Sequence, residues 1–117
     1  MRNVEIERAG RPSASDPILK EVVRRLVEVY HPKRIYLFGS NARGDAGPDS
    51  DYHLMVIVPD SAPPELRQGK AGYRALRGTG AAADVQVWSQ RDFEGQLHLK
   101  ASFPSTIVRE GKVLNGT

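Results

Sequence analysis

The strongest pattern in the chain is an amphipathic stretch that begins at Asp16-Pro17 and ends before Pro32. Asp is a favoured helix cap and Pro a favoured first helical residue, so the sequence predicts that a helix begins here. Its apolar residues recur at helical spacing and are Ile18, Leu19, Val22, Val23, Leu26, Val27 and Tyr30. The stripe predicts a helix that packs on the core, or on the core and an interface such as that of a homo-oligomer.

Apolar runs bounded by turn residues predict the strands. Three buried strands and a short edge strand are expected at residues 35–38, 52–58, 84–88 and 113–114. Cap and proline signals predict three further helices, at about 64–76, 91–100 and 104–111. Glycines at positions 69 and 72 weaken the first of these helices, because glycine disfavours a helix interior.

This order of elements indicates an α/β (α+β) fold, with a mixed three- to four-stranded sheet and helices packed on one face. The chain has 117 residues, of which 39% are apolar and 26% charged, which is ordinary for a single globular domain. Residues 1–15 show no sustained periodicity and are expected to form a loose arm before one domain at 16–117.

Composition excludes several classes of site. The chain has no cysteine, which excludes disulfides and thiolate zinc sites. It shows neither a leader pattern nor a run of 18 apolar residues, so a cytoplasmic protein with no membrane association is expected. The net charge of +3 arises within residues 1–34, and acids balance bases from Ile35 onward. No cluster of basic and aromatic residues is evident, so nucleic-acid binding is not expected.

Candidate chemistry lies at the strand ends. The first strand runs into Gly39-Ser40, and the second is preceded by Asp51 and has His53 as its second residue. Glycine lets backbone approach a ligand closely, and serine at a helix start offers a hydroxyl and free N–H groups to phosphate oxygens. Asp51 and His53 are two apart and share a face of the strand. Asp84, opening the third strand, would lie beside them if those strands are neighbours.

Each of these residues also has an ordinary structural interpretation. Ser40 could serve only as a helix cap, and Asp51 or Asp84 could be turn residues that bond to backbone. Arg43 could contact phosphate or form a surface ion pair. Trp88 could stack on a nucleotide base or pack in the core.

Two stretches of the chain resemble a known family. Residues 37–44, Leu-Phe-Gly-Ser-Asn-Ala-Arg-Gly, together with Ser-Asp-Tyr-His-Leu at 50–54, are similar to the signature of the minimal nucleotidyltransferase (MNT) family. That family belongs to the DNA polymerase β-like superfamily, and its pattern is Gly-Ser, ten residues, Asp-x-Asp, and a third Asp on a later strand. Residues 109–114 resemble the end of MNT domains. The resemblance covers about residues 18–114 and implies a small nucleotidyltransferase fold.

The resemblance implies roles for particular residues. Gly39 and Ser40 would hold the triphosphate of ATP, with Arg43 as a further candidate for nucleotide binding. Asp51 and Asp84 would be the catalytic carboxylates and would bind Mg²⁺ or Mn²⁺. Such transfers need alignment of the reactants and neutralisation of charge, and hard divalent cations bound by oxygen ligands supply the second.

Position 53 departs from the family pattern, because the second carboxylate of Asp-x-Asp is replaced by His53. Imidazole suits transition metals better than Mg²⁺, and the exchange removes a negative charge. Three interpretations remain open. His53 could be a third metal ligand beside Asp51 and Asp84, the chain could be a weak one-metal enzyme, or the domain could have kept its fold and lost its chemistry.

MNT domains commonly act beside HEPN proteins, as the antitoxin half of a two-protein module. The resemblance therefore implies a nucleotidyltransferase that moves AMP from ATP to a hydroxyl of a HEPN-type partner. The alternative is a catalytically degenerate module that neutralises its partner by binding alone. A third class, a polymerase relative that modifies nucleic acid, would need a basic groove that the sequence does not indicate.

Overall fold

The structure is a computed structural model that describes residues 17–39 and 51–115. The predicted loose arm of residues 1–15 and the predicted cap Asp16 lie outside these ranges. Ser40 and Arg43 do so as well, so their predicted roles are not tested by the fold.

The described ranges contain helices and strands close to those expected. The helices are α1 (Pro17–Tyr30), α2 (Lys70–Ala75), α3 (Gln90–Glu94) and α4 (Phe103–Glu110), with a 3-10 turn at Pro64–Leu66 before α2. The strands are β1 (Arg34–Phe38), β2 (Tyr52–Val58), β3 (Ala83–Ser89) and β4 (Lys112–Asn115). Among these helices, none is long and apolar enough to cross a bilayer.

The four strands form one mixed sheet in the order β3-β2-β1-β4. Strand β1 is antiparallel to both β2 and β4, whereas β2 and β3 are parallel. The end of β1 therefore lies beside the beginnings of β2 and β3. This topology confirms the predicted class and brings Gly39, His53 and Asp84 to one end of the sheet.

Apolar side chains cover both faces of the sheet. Leu54 and Val56 pack on one face with the buried residues of α1, and Met55 and Ile57 lie on the other face with Phe93 of α3 and Ile107 of α4. The expectation that helices pack on one face is thus corrected: α1 and α2 cover one face, α3 and α4 the other. The cause is β2, which is apolar at every position from 54 to 58 and so must be covered twice.

Two predicted helices are shorter than expected. The segment 64–76 is divided into a 3-10 turn and the six-residue α2. At Gly69, between them, a Cβ atom would lie 2.6 Å from the carbonyl oxygen of Val85, so the chain passes too close to β3 for any other residue. Ser89 caps α3 as expected, its hydroxyl accepting from the Asp92 N–H at 3.2 Å, but α3 ends before Gly95 and turns follow.

Candidate functional site

Three chain segments meet where β1 ends and where β2 and β3 begin. Phe38 pairs with His53 across β1 and β2, and His53 pairs with Asp84 across β2 and β3. The rings of Phe38 and His53 are 5.6 Å apart. His53 therefore lies between the last residue of β1 and the carboxylate of β3. Its place beside Asp84 was predicted on the condition that β2 and β3 are neighbours.

The side chains of His53 and Asp84 face each other at the surface. His53 Nδ1 lies 3.4 Å from Asp84 Oδ2, which is long for a hydrogen bond. Their side chains are 37% and 40% exposed, so both can be reached from solvent. The imidazole nitrogen and the carboxylate oxygen could share a hydrogen bond if they moved a few tenths of an ångström closer, or both could bind a third group, such as a cation, placed between them.

Tyr73 on α2 holds the other oxygen of Asp84. Its hydroxyl donates to Asp84 Oδ1 at 3.1 Å and accepts from the Val85 N–H at 3.1 Å. The carboxylate is thereby oriented by a side chain eleven residues earlier in the chain. Sequence reasoning missed Tyr73, because its contact depends on how α2 packs against β3 and no local pattern predicts that packing.

Gly39 forms the turn that leaves β1. Its φ of +80° is a left-handed conformation that residues with a side chain rarely adopt. A Cβ atom at this position would also lie 3.1 Å from Cδ2 of His53. The backbone conformation favours glycine here, and a side chain would also press on the imidazole, which would have to shift by a few tenths of an ångström. Glycine thus leaves the space beside His53 open.

Asp51 lies immediately before β2 and is exposed. The N–H of the next residue, Tyr52, donates to the carbonyl oxygen of Ala82 at 2.9 Å, which fixes the chain at this point to the start of β3. In the ranges 17–39 and 51–115, no three side chains of His, Asp or Glu are grouped so as to hold a metal ion. The structure brings His53 and Asp84 together but does not complete the predicted trio with Asp51.

The atoms at this end of the sheet that could ligate a metal fit one cation better than two. The Asp84 side chain is exposed and its Oδ2 lies beside an imidazole nitrogen, and a mixed set of nitrogen and oxygen ligands suits Mn²⁺ or a later transition metal more than Mg²⁺. Two divalent cations would bring four positive charges to Asp51 and Asp84, which supply only two negative ones.

Trp88 does not lie at this site. It makes edge contacts with the rings of Phe93 and Phe103, at centroid distances of 6.4 and 6.2 Å. Four residues of strand also separate it from Asp84, or about 13 Å. The packing interpretation of Trp88 is the one that the structure shows.

The sequence model of the nucleotidyltransferase domain family matches residues 17–113, which include every described element up to the first half of β4. The chain belongs to the nucleotidyltransferase domain family. The strand ends that carry Gly39, His53 and Asp84 all lie inside the matched region of this nucleotidyltransferase domain.

Solved structures share its fold. One from Sulfolobus solfataricus, assigned as a nucleotidyltransferase, has a TM-score of 0.52 at 20% identity, covering 75% of this chain and 85% of that one. A toxin-antitoxin structure with AMP-PNP has a TM-score of 0.54 at 25% identity, covering 82% and 72%. A mutant of the toxin-antitoxin MntA-HpeT has a TM-score of 0.52 at 24% identity, covering 81% and 71%. No curated protein matches the chain significantly. Together with the family match, these neighbours confirm the predicted MNT resemblance of the domain.

Proposed function

We propose that this nucleotidyltransferase domain transfers AMP from ATP to a hydroxyl of a partner protein, as the antitoxin of a HEPN-type pair. The observation that carries the proposal is the pairing of His53 with Asp84 beside the open turn at Gly39. In a chain of this family, that is where an imidazole and a carboxylate can act on a bound triphosphate.

The proposed roles follow from the family pattern and, for Gly39, His53 and Asp84 alone, also from the geometry. Gly39 and Ser40, with Arg43, hold the triphosphate through backbone N–H groups and side-chain donors. His53 and Asp84 would hold a divalent cation, which would neutralise charge that develops on the phosphates, and Asp51, which the structure does not group with them, would have to turn toward it to complete the site. Asp84 takes the proton of the attacking hydroxyl at Oδ2, because its Oδ1 is held by Tyr73. The hydroxyl oxygen bonds to the α-phosphorus of ATP as the bond from that phosphorus to the oxygen of the β-phosphate breaks, and pyrophosphate leaves.

The acceptor is proposed from the structural neighbours. Two of them are toxin-antitoxin structures, and the one at 25% identity was determined with AMP-PNP. An ATP analogue in a fold this similar supports ATP as the nucleotide, and a toxin-antitoxin pair supports a protein partner.

A second function is favoured by the contacts of Asp84 itself. One of its oxygens bonds to Tyr73 and the other faces His53, so both are turned toward groups of this chain. With a histidine in place of the second carboxylate, the domain could be a catalytically degenerate module that silences its partner by contact. Transfer and contact-only binding give different results in one assay.

That assay follows radioactive AMP from ATP into a purified HEPN-type candidate partner protein. We expect transfer with Mn²⁺ to exceed transfer with Mg²⁺, because Mn²⁺ accepts nitrogen ligands more readily. Asp84→Asn should lower transfer on the order of 10²-fold, since the proton acceptor is lost. Asp92→Asn, which removes an exposed carboxylate on α3, is the matched control and should have no effect.

Nucleotide binding gives a second readout. ATP with Mn²⁺ at about 100 times its dissociation constant should add about 2.7 kcal/mol to the free energy of unfolding. Ser40→Ala should lose part of that gain. Tight partner binding by all variants with no transfer by any would leave the contact-only module as the function.

A further inference from the structure

The outward side of α2 carries a row of positive charge. Lys70, Arg74 and Arg77 are spaced by four and then three residues, which places them on one side of α2 and the turn that follows. Together with Tyr73 they line an open groove of about 600 Å³. We call this surface the α2 groove.

The positive charges of the α2 groove are not neutralised by any side chain in the described structure. Across residues 17–39 and 51–115, the side chains of Lys70, Arg74 and Arg77 form no hydrogen bond and no ion pair. By contrast, the neighbouring Arg25 bonds to Glu21 and to two backbone carbonyls. Like charges at this helical spacing repel one another, so the row is destabilising until an anion neutralises it.

The α2 groove runs up to the candidate site. Tyr73, which is 48% exposed, lies in the groove and donates its hydroxyl to Asp84. Whatever occupies the groove therefore lies next to the carboxylate that is proposed to take a proton from the acceptor. Sequence reasoning missed this cluster of basic and aromatic residues, because balanced acids and bases along the chain gave no sign that three bases share one side of α2 and the turn that follows it.

We propose that the α2 groove docks an acidic segment of the acceptor protein and so delivers its hydroxyl to Asp84. This inference rests on the proposed transfer to a protein. The row from Lys70 to Arg77 is short, about 10 Å at the rise of a helix. It contains a single aromatic ring whose hydroxyl is already engaged, whereas single-stranded nucleic acid needs a longer basic track with several stacking rings. A short acidic peptide fits its length and charge.

The test compares the binding of fluorescein-labelled peptides by fluorescence anisotropy. The probes are a twelve-residue peptide of Asp, Glu, Ser and Gly, its Asn/Gln counterpart without charge, and a single-stranded RNA of twelve nucleotides. The test variant carries Lys70→Glu, Arg74→Glu and Arg77→Glu. The matched control carries Lys20→Glu, Lys33→Glu and Lys100→Glu, three exposed positions outside the groove with the same change of net charge. A third variant with Gln at the three groove positions guards against misfolding caused by charge reversal.

We expect the wild-type chain to bind the acidic peptide in preference to the neutral peptide and the RNA. The groove variant should lose at least tenfold in affinity and the Gln variant several-fold, while the control loses less than threefold. Affinity should also fall when salt rises from about 50 to 300 mM, as the charges are screened. Equal losses in the groove and control variants, or no preference for the acidic peptide, would overturn the proposal. Stronger RNA binding that the groove variant loses would do so as well.

Failure of this inference is separable from failure of the proposed function. Stabilisation by ATP with Mn²⁺ should be retained in the Gln variant, because the three side chains it replaces form no hydrogen bond or ion pair with Gly39, His53 or Asp84. Peptide binding without any nucleotide transfer would refute the transfer function and retain the docking surface. Transfer that proceeds with unchanged KM for the partner in the groove variant would refute the docking surface alone.

Discussion

Two tyrosine hydroxyls make the same kind of contact on either side of α2. Tyr30 donates to the carbonyl oxygen of Gln68 at 2.6 Å and accepts from the Gly72 N–H at 2.8 Å. Tyr73 donates to Asp84 and accepts from the Val85 N–H. Tyr30 is buried, which raises the pKa of its hydroxyl, whereas Tyr73 is half exposed. Removing the hydroxyl from each tyrosine therefore gives a matched pair of variants, one outside the candidate site and one within it.

Removing each hydroxyl should affect different properties. Tyr30→Phe leaves a buried N–H without a partner and should lower the free energy of unfolding by about 1–3 kcal/mol, with little effect on transfer per folded molecule. Tyr73→Phe should cost less than about 1 kcal/mol, because water can replace the hydroxyl at a half-exposed position. It should nevertheless lower kcat, since Asp84 is no longer held. Urea unfolding and labelled AMP transfer measure the two effects. A Tyr73→Phe variant with wild-type kcat would show that the hydroxyl does not position Asp84.

The family's missing carboxylate can be restored at position 53. His53→Asp would place a second carboxylate beside Asp84, because the two positions are paired across β2 and β3. Without a cation the like charges should lower the unfolding temperature, and Mg²⁺ should restore it. We expect transfer of AMP to rise in this variant, with Mg²⁺ now sufficient. His53→Asn, which has the same shape as the Asp variant without its charge, should show neither the cation response nor the gain.

Two outcomes would contradict that interpretation of His53. Strong transfer by the wild type that both substitutions destroy would make the imidazole a working catalytic group. An unfolding temperature that responds to Mg²⁺ equally in the Asp and Asn variants would show that position 53 does not face the cation.

The residue pair at the site was predictable only in part. His53 and Asp84 could be proposed because strand periodicity and a family pattern both point to them, but their adjacency required the parallel pairing of β2 with β3. The sequence does not determine this pairing locally, since some 25 residues separate the two strands along the chain. Neither strand periodicity nor the family pattern pointed to Tyr73.

At the scale of elements, an arginine of α1 bonds to the end of α2 and to the turn that follows it. Arg25 bonds to Glu21 at 2.7 Å and to the carbonyl oxygens of Ala75 and Arg77 at 3.1 and 2.8 Å. It thus satisfies carbonyl groups at the end of α2 that lack a helical partner. Hydrogen bonds from Arg24 and from Arg25 lower the pKa of Glu21 from 4.5 to about 2.

Because the pKa of Glu21 is lowered on folding, its contribution to the stability of the fold must decrease as the pH falls. A carboxylate whose pKa is lower in the folded state than in the unfolded state adds its full stabilisation of the fold at pH values above the unfolded pKa. That stabilisation is lost as pH falls through the folded pKa. The wild type should therefore exceed Glu21→Gln in urea midpoint at pH 6, and the difference should shrink between about pH 4.5 and 2. Glu28→Gln, an exposed neighbour on α1, is the control. A difference that stays constant over this range would show that the charge of Glu21 does not matter.

The elements themselves were predicted well where periodicity is strong. The apolar stripe predicted α1, and apolar runs predicted β1 to β3 to within a residue at each end. The length of α2 was not predictable, because it depends on the approach of Gly69 to the backbone of Val85. Coverage of both sheet faces was missed, although the unbroken apolar run from 54 to 58 indicates a strand buried on both sides.

At the scale of the whole molecule, the described residues could hold a nucleotide at either end of the sheet. One is the end of the sheet at Gly39, His53 and Asp84. The other is a cavity of about 230 Å³ at the opposite end, lined among others by Lys33, Arg34 and Phe93, where basic side chains could also attract phosphate. The proposed transfer of AMP requires the nucleotide to bind at the first.

Paramagnetic broadening of backbone amide signals by Mn²⁺ with AMP-PNP distinguishes the two ends most directly, with Mg²⁺ and AMP-PNP as the diamagnetic reference. We expect the signals of Gly39, His53 and Asp84 to be broadened first and those of Lys33 and Arg34 to keep their intensity. Broadening that begins at Lys33 and Arg34, or none at either end at millimolar nucleotide, would contradict the placement of a nucleotide site where β1 ends and β2 and β3 begin.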